Sequence, residues 1–216
     1  MPGRAVGMAA ALVVGLLLGF SAYADDSKKQ ERRIGEAAAD RELFVGKLAV
    51  FDAKQIALGE LALERSQDPQ VRKLAKQLVV DHRKHLSDLR NWADTQALQV
   101  AAVDLSGPSE TGVGGSGNEG IREGYDERRE ESAERLDEAI DDAREDVTEV
   151  KEKQGEDFDK AFISRVVDDQ KDGQKLVRDG LDTYRADATF SLLLNRTGNV
   201  IERNLERGKS VEKAID

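Results

Sequence analysis

The sequence predicts an all-α protein: an antiparallel four-helix bundle with a charged helical insertion between its second and third helices. Three observations predict this fold. Only three of the 216 residues are proline, and Ala, Leu, Glu, Lys and Arg dominate outside the loops, which favours helix over strand. Apolar residues recur at helical spacing in four segments. Each of these segments carries a polar residue within its apolar face, which indicates a bundle with a polar layer in its core.

The first 24 residues are predicted to be a cleaved signal peptide. Arg4 supplies a positive start, residues 8–20 (MAAALVVGLLLGF) form a short apolar run, and AYA at 22–24 fits the small-x-small cleavage rule. The alternative is an uncleaved anchor, for which the run is short. With Asp25 as the first mature residue, we expect a periplasmic or secreted protein without a later membrane span.

Residues 25–103 are predicted to hold the first half of the bundle. Residues 25–38 are polar and are expected to form a frayed lead-in, followed by helix one over about 40–65. Asp68 suits an N-cap and Pro69 suits the first position of a helix, so helix two begins there and continues to about residue 98.

Helical phase at 100° per residue places several polar side chains on inner faces. Gln55 lies within the inner face of helix one. His82 and His85, the two histidines of the chain, both lie on the inner face of helix two, and Gln170 and Asn204 lie on those of helices three and four. The predicted polar core layer is Gln55, His82, Gln170 and Asn204.

The second half of the chain divides by composition. Residues 104–120, DLSGPSETGVGGSGNEG, are predicted to be a Gly/Ser-rich linker. The charged insertion follows at 121–154, where 14 residues are acidic and seven are basic. Residues 155–216 are predicted to hold the second half of the bundle, with helix three over about 158–184 and helix four capped by Asp187.

The insertion carries a narrow apolar seam at alternating three- and four-residue steps, which is typical of a coiled coil. Its members are Ala133, Leu136, Ile140, Ala143, Val147 and Val150. One interpretation is a solvated helix held by i,i+4 charge pairs. The other is a docking helix, in cis or for self-association or a protein partner through residues 121–154. If the helix is independent, we expect deletion of about 105–153 to leave the bundle folded, because loop length costs little stability.

Two segments resemble a known family. Residues 44–86, FVGKLAVFDAKQIALGELALERSQDPQVRKLAKQLVVDHRKHL, resemble the first two helices of the exported bacterial family called domain of unknown function 4142. Residues 155–162, GEDFDKAF, resemble the family's Gly-x-x-Phe-Asp-x-x-Tyr start of helix three, with Phe162 where Tyr is usual. The resemblance covers about residues 40–100 and 155–210, and it implies that the predicted bundle is ferritin-like. The charged insertion is longer than the family's usual connection.

The resemblance also implies inward polar positions similar to a metal site: a glutamate on the first helix and a histidine on each of the others. On this chain these positions are Gln55, His82, Gln170 and Asn204. Only His82 matches the family's residue at its position. At the last position Arg203 is the alternative to Asn204, and its helical phase points it outward. Amide oxygens are poor ligands for iron or zinc, so we expect a hydrogen-bonded polar core without metal or cofactor. The alternative is a metal-binding or redox bundle that uses His82 and His85.

Charge and composition disfavour several function classes. The formal net charge is −10, which disfavours nucleic acid as a partner. The absence of cysteine excludes disulfides, thiolate catalysis and Cys-zinc sites. No phosphate loop, nucleophile elbow or His-Glu zinc motif occurs. The sequence therefore predicts a non-enzymatic envelope protein that acts through helix surfaces.

Two expectations concern the acidic residues near the predicted layer. Asp168, Asp169 and Asp172 are expected to form a solvated face. No anionic side chain is expected beside the imidazoles, unless that of Asp81 or Asp169 extends far enough to contact them.

Overall fold

The computed structural model describes residues 13–96, 98, 100, 105 and 119–215. These residues form five α-helices and no strand, so the all-α prediction is confirmed. The helices are α1 Val13–Arg65, α2 Pro69–Thr95, α3 Glu119–Lys151, α4 Gly155–Thr183 and α5 Ala188–Ile215. Residues 1–12 of the predicted signal peptide and most of the predicted linker at 104–120 lie outside the described residues. None of the described helices combines the length and hydropathy needed to cross a membrane.

Aspartate side chains cap two of the helices, as the sequence predicts. Asp68 accepts hydrogen bonds from the backbone N–H groups of Gln70 and Val71, and Pro69 follows at the first helical position. Asp187 accepts from the backbone of Thr189 and Phe190, at 3.1 and 3.0 Å. Because the first N–H groups of a helix have no partner within it, these carboxylates fix where α2 and α5 begin.

The chain divides into two compact units, and the first contains α1 up to Asp40 and α3 up to Glu131. In this unit Gly35 and Gly124 bring the two helices into backbone contact, since a Cβ on either would collide with the carbonyl oxygen of Ile121 or Arg32, respectively. Arg32 pairs with Glu127, and Arg128 Nε lies 2.7 Å from Asp40. The expectation of a frayed lead-in at 25–38 is wrong, because these contacts hold that segment in a continuous helix.

The second unit contains the rest of α1 and α3 together with α2, α4 and α5. Its apolar core has two large clusters, each with residues from α1, α2, α4 and α5. The first, called here the Phe190 cluster, consists of Val45, Leu48, Ala49, Phe51, Leu89, Ala93, Val177, Phe190, Leu193, Leu194 and Ile201. The second, the Phe162 cluster, consists of Leu58, Ala62, Val71, Leu74, Ala75, Leu78, Val150, Phe158, Phe162, Ile163, Val166, Val167 and Leu205.

The order of these clusters along each helix gives the helix direction. α1 and α5 run from the Phe190 cluster to the Phe162 cluster, whereas α2 and α4 run the opposite way. Because α2 and α4 are parallel, their connection must return along the length of the core, and α3 makes that return. Ile140 and Ala143 pack on Val50 of α1, and Val150, further along α3, joins the Phe162 cluster.

The return path of α3 changes the expectation for a deletion of 105–153. The 27 residues of α2 span about 40 Å. The deletion would leave about ten residues between α2 and α4, which reach at most about 35 Å when fully extended. The direct deletion is therefore too short for this topology, and a replacement linker is needed.

The Asp187 cap predicts a specific loss of stability. The hydrogen bond from the Phe190 backbone, with those from Thr189, holds the pKa of Asp187 below its usual value. Asp187→Ala is expected to lower the free energy of unfolding by about 0.5–2 kcal/mol, whereas Asp187→Asn retains the cap. Urea unfolding at neutral pH measures both, with the exposed Asp182→Ala as the control.

The pH dependence has a defined sign. Because its pKa is lower in the folded state, Asp187 stabilises the protein above the unfolded-state value of about 3.9, and this contribution is lost as the pH falls through the folded-state pKa. The Asp187→Asn variant should therefore lose less stability than wild type as the pH falls through this range. An unchanged acid profile in that variant would contradict the assignment.

Candidate functional site

The four predicted polar-layer residues lie on four different helices, and all are buried. Gln55 of α1, Gln170 of α4 and Asn204 of α5 have no exposed surface, and His82 of α2 is 1% exposed. Arg203, the alternative at the last position, is exposed. All four side chains therefore lie in the core of the part of the chain that the structure describes.

Gln170 and Asn204 face one ring nitrogen of His82, and Gln55 joins the layer through Gln170. The Gln170 Nε2 donates to Gln55 Oε1 at 2.9 Å and lies 3.4 Å from His82 Nε2. The Asn204 Nδ2 lies 3.4 Å from the same nitrogen. Since both facing groups are amide donors, His82 Nε2 acts as an acceptor, and the ring proton is on Nδ1. The layer separates the Phe190 and Phe162 clusters along each of the four helices.

The central residue of the layer is Asp52, which sequence reasoning missed. Its carboxylate is fully buried. Oδ1 lies 2.8 Å from His82 Nδ1, and Oδ2 lies 2.6 Å from His85 Nδ1. Each imidazole therefore donates one N–H to a different oxygen of one carboxylate. The signal was present, because Asp52 lies four residues after Leu48 and three before Gln55, on the same helical face.

The outer nitrogen of His85 contacts α5. His85 Nε2 lies 2.6 Å from Thr197 Oγ1, which in turn donates to the Leu193 carbonyl at 3.0 Å. His85 therefore links the Asp52 carboxylate of α1 to the Thr197 hydroxyl of α5.

A second row of polar groups leads from the layer toward α3. The Gln55 Nε2 donates to Asp169 Oδ2 at 2.7 Å, and Lys54 Nζ lies 2.8 Å from both Asp169 Oδ1 and Asp146 Oδ2. Burial raises the pKa of Asp169, against the attraction of Lys54. Burial opposes the charge of Lys54 as well, but the carboxylates of Asp169 and Asp146 outweigh it and raise the pKa of Lys54.

The acidic residues near the layer depart from two expectations. Asp169 is 4% exposed, so the solvated face expected for this cluster is wrong at Asp169, while Asp168 and Asp172 are exposed. Neither Asp81 nor Asp169 provides the anion for the imidazoles. Asp81 pairs instead with Arg207, 2.8 Å away, which also donates to Asn204 Oδ1.

The side chains present do not suit the metal site that the family resemblance implies. Within the described part of the chain, no group of three or more His, Cys, Asp or Glu residues is arranged to hold a metal ion. Both oxygens of Asp52 face ring N–H groups, and His82 Nε2 faces two amides. A transition metal needs several anionic or imidazole ligands directed at one point. In this site the single carboxylate orients the imidazoles instead.

Removing the Asp52 carboxylate should destabilise the fold. Asp52→Leu leaves the Nδ1–H groups of His82 and His85 without an acceptor, at about 1–3 kcal/mol for each ring. Asp52→Asn keeps one acceptor oxygen and should cost less. Equilibrium urea unfolding measures both, and Asp168→Asn on the exposed face of α4 is the matched control, with little expected change. Equal stabilities for wild type and Asp52→Leu would show that the carboxylate does not hold the rings.

Comparison with known proteins identifies a family but no individual relative. No significant match is found among curated proteins or among solved structures. Residues 27–211 match the family described as domain of unknown function (DUF4142). This range includes all the side chains of the polar layer and most of the five helices. The chain therefore belongs to the DUF4142 family.

Proposed function

We propose that this protein is an exported, non-catalytic bundle of the cell envelope that acts through helix-mediated contacts. The observation that carries the proposal is the use of Asp52: both of its oxygens accept hydrogen bonds from imidazole Nδ1 atoms. A buried polar network whose anion is paired with its own histidines makes the core rigid and specifies one packing arrangement.

The helix directions support a ferritin-like four-helix arrangement of α1, α2, α4 and α5. Ferritin-like bundles have one long crossover, which makes the second and third bundle helices parallel. Here α2 and α4 are parallel, and α3 provides the crossover. In this arrangement the charged insertion is the crossover helix itself.

Export is proposed from the sequence of the first 24 residues. Arg4, the apolar run at 8–20 and AYA at 22–24 fit a cleaved leader with Asp25 as the first mature residue. The product would be a periplasmic or secreted protein, in which a partner meets folded helix surfaces.

One observation favours the alternative of a metal-binding or redox bundle. The Gln170 Oε1 is buried and has no hydrogen-bond partner among the described residues. It belongs to the side chain whose nitrogen faces His82. An unpaired buried carbonyl oxygen is costly, and a weakly held cation beside His82 would satisfy it.

Metal analysis of untagged protein, expressed with its own leader, tests the proposal. We expect iron, zinc and manganese well below one atom per chain, and an intact mass that begins at Asp25. Stoichiometric metal that is lost in His82→Gln and retained in Asp168→Asn would establish the metal-binding alternative. An intact mass that begins at Met1 would contradict the proposed export.

A further inference from the structure

The C-terminal half of α3, residues 132–151, lies in a groove between α1 and α4. Its seam faces inward: Ile140 and Ala143 pack on Val50 of α1, and Leu136 lies over Gly46. Near its end, Val150 is 2% exposed and packs in the Phe162 cluster. The apolar seam predicted from the sequence is therefore used in cis.

The polar contacts of this segment are complementary in charge. Asp146 of α3 lies 2.8 Å from both Lys54 of α1 and Arg165 of α4. Arg165 also pairs with Glu149 at 3.0 Å, and Arg65 of α1 donates to the Lys151 carbonyl. In these contacts the cations lie on α1 and α4, and the acceptors lie on α3.

The groups beneath α3 retain partners without it. Lys54 also pairs with Asp169, and Asp169 also accepts from Gln55. Asp146 and Arg165 are 23% and 30% exposed, so water reaches both. Release of α3 therefore leaves no buried charge unpaired. An unpaired buried charge is the usual reason that breaking a buried ion pair has a large cost in free energy.

The apolar attachment of α3 is also small. Val150 is the one described α3 residue that is buried in either large cluster. Val147 packs against the Phe162 cluster while remaining partly exposed. The remaining cluster consists of Val50 with Ile140 and Ala143, against which the partly exposed Leu105, Leu136 and Ala139 pack. Segments with few buried apolar contacts open at a lower free energy than the core. This part of α3 is thus less firmly attached than α1 or α4.

We propose that the groove between α1 and α4 is a docking surface for an acidic amphipathic helix of a partner protein, and that α3 is the resident occupant that such a helix displaces. Lys54, Arg65 and Arg165 supply the positive side of the groove, and Gly46 and Val50 supply its apolar floor. The α3 segment shows which helix fits: a short apolar seam with a carboxylate placed as in Asp146. This inference rests on the proposed function. It adds the class of partner, an acidic amphipathic helix, and the means of regulation, which is displacement of α3.

Hydrogen–deuterium exchange of the intact protein tests whether α3 opens alone. Amides of 137–151 should exchange through an opening in which α1, α2, α4 and α5 stay protected. Asp146→Asn should speed exchange in this segment by about fivefold, the factor expected when its two partly exposed ion pairs, with Lys54 and Arg165, are weakened. Asp142→Asn, on the outer face of the same helix, is the matched control. Exchange of α3 in step with α1 and α4, or equal acceleration of all helices by Asp146→Asn, would overturn the proposal.

Binding of a labelled peptide with the sequence of residues 132–153 tests the groove itself. Because α3 competes with the probe, the Asp146→Asn chain should bind it about fivefold more tightly than wild type, in proportion to the open fraction. A probe with the Asp146→Asn change, or a scrambled probe, should bind more weakly.

Two results would contradict this docking surface. One is equal affinity of the probe for the wild-type and Asp146→Asn chains. The other is a concentration-dependent dimer of the Asp146→Asn chain, which would make a second copy the occupant. Neither result depends on the metal content of the protein, which is the measurement that tests the proposed function. The docking surface and the proposed function can therefore fail separately.

Discussion

The double hydrogen bond of the Asp52 carboxylate is the interaction on which the centre of this protein depends. A buried carboxylate without partners is expensive, because it loses hydration that nothing replaces. Here one oxygen accepts from His82 and the other from His85. The two rings are thereby fixed in orientation, and their outer nitrogens are directed at α4 and α5. One anion on α1 thus determines which polar groups the other three helices must present.

This arrangement gives the packing a specificity that the apolar clusters lack. Apolar contacts are non-directional, so the Phe190 and Phe162 clusters alone would tolerate sliding of one helix along another. A shift of α2 by one turn would move His82 and His85 away from Asp52 and leave buried donors unpaired. The same network continues through Gln55 and Asp169 to Lys54, where the Asp146 contact brings in α3. The crossover helix is therefore attached at the outer end of the polar layer.

Helical periodicity predicted much of the fold because burial follows a simple 3.6-residue repeat. The inward positions of Gln55, His82, Gln170 and Asn204 and the caps at Asp68 and Asp187 followed from local rules. The role of Asp52 did not follow from local rules, because a charged residue on an inner face can be given a role only when its partner on another helix is known. The helix direction of α4 does not follow from local rules either, since a Gly-rich linker is compatible with either direction, and only the family resemblance to a ferritin-like bundle bears on it. The order at 25–38 depends on a distant contact of Gly35 with α3, which no local pattern reports.

The most direct test of the Asp52 arrangement is the protonation of the two imidazoles, observed by long-range nitrogen–proton NMR correlation of the ring nitrogens. The account predicts a proton on Nδ1 of both His82 and His85, protected from exchange with solvent, and an unprotonated Nε2 on His82. In Asp52→Leu, this Nδ1 pattern should be lost while Asp168→Asn retains it. A proton on Nε2 of His82 with a bare Nδ1, or ring protons that exchange freely with water, would contradict the claim that one carboxylate holds both rings.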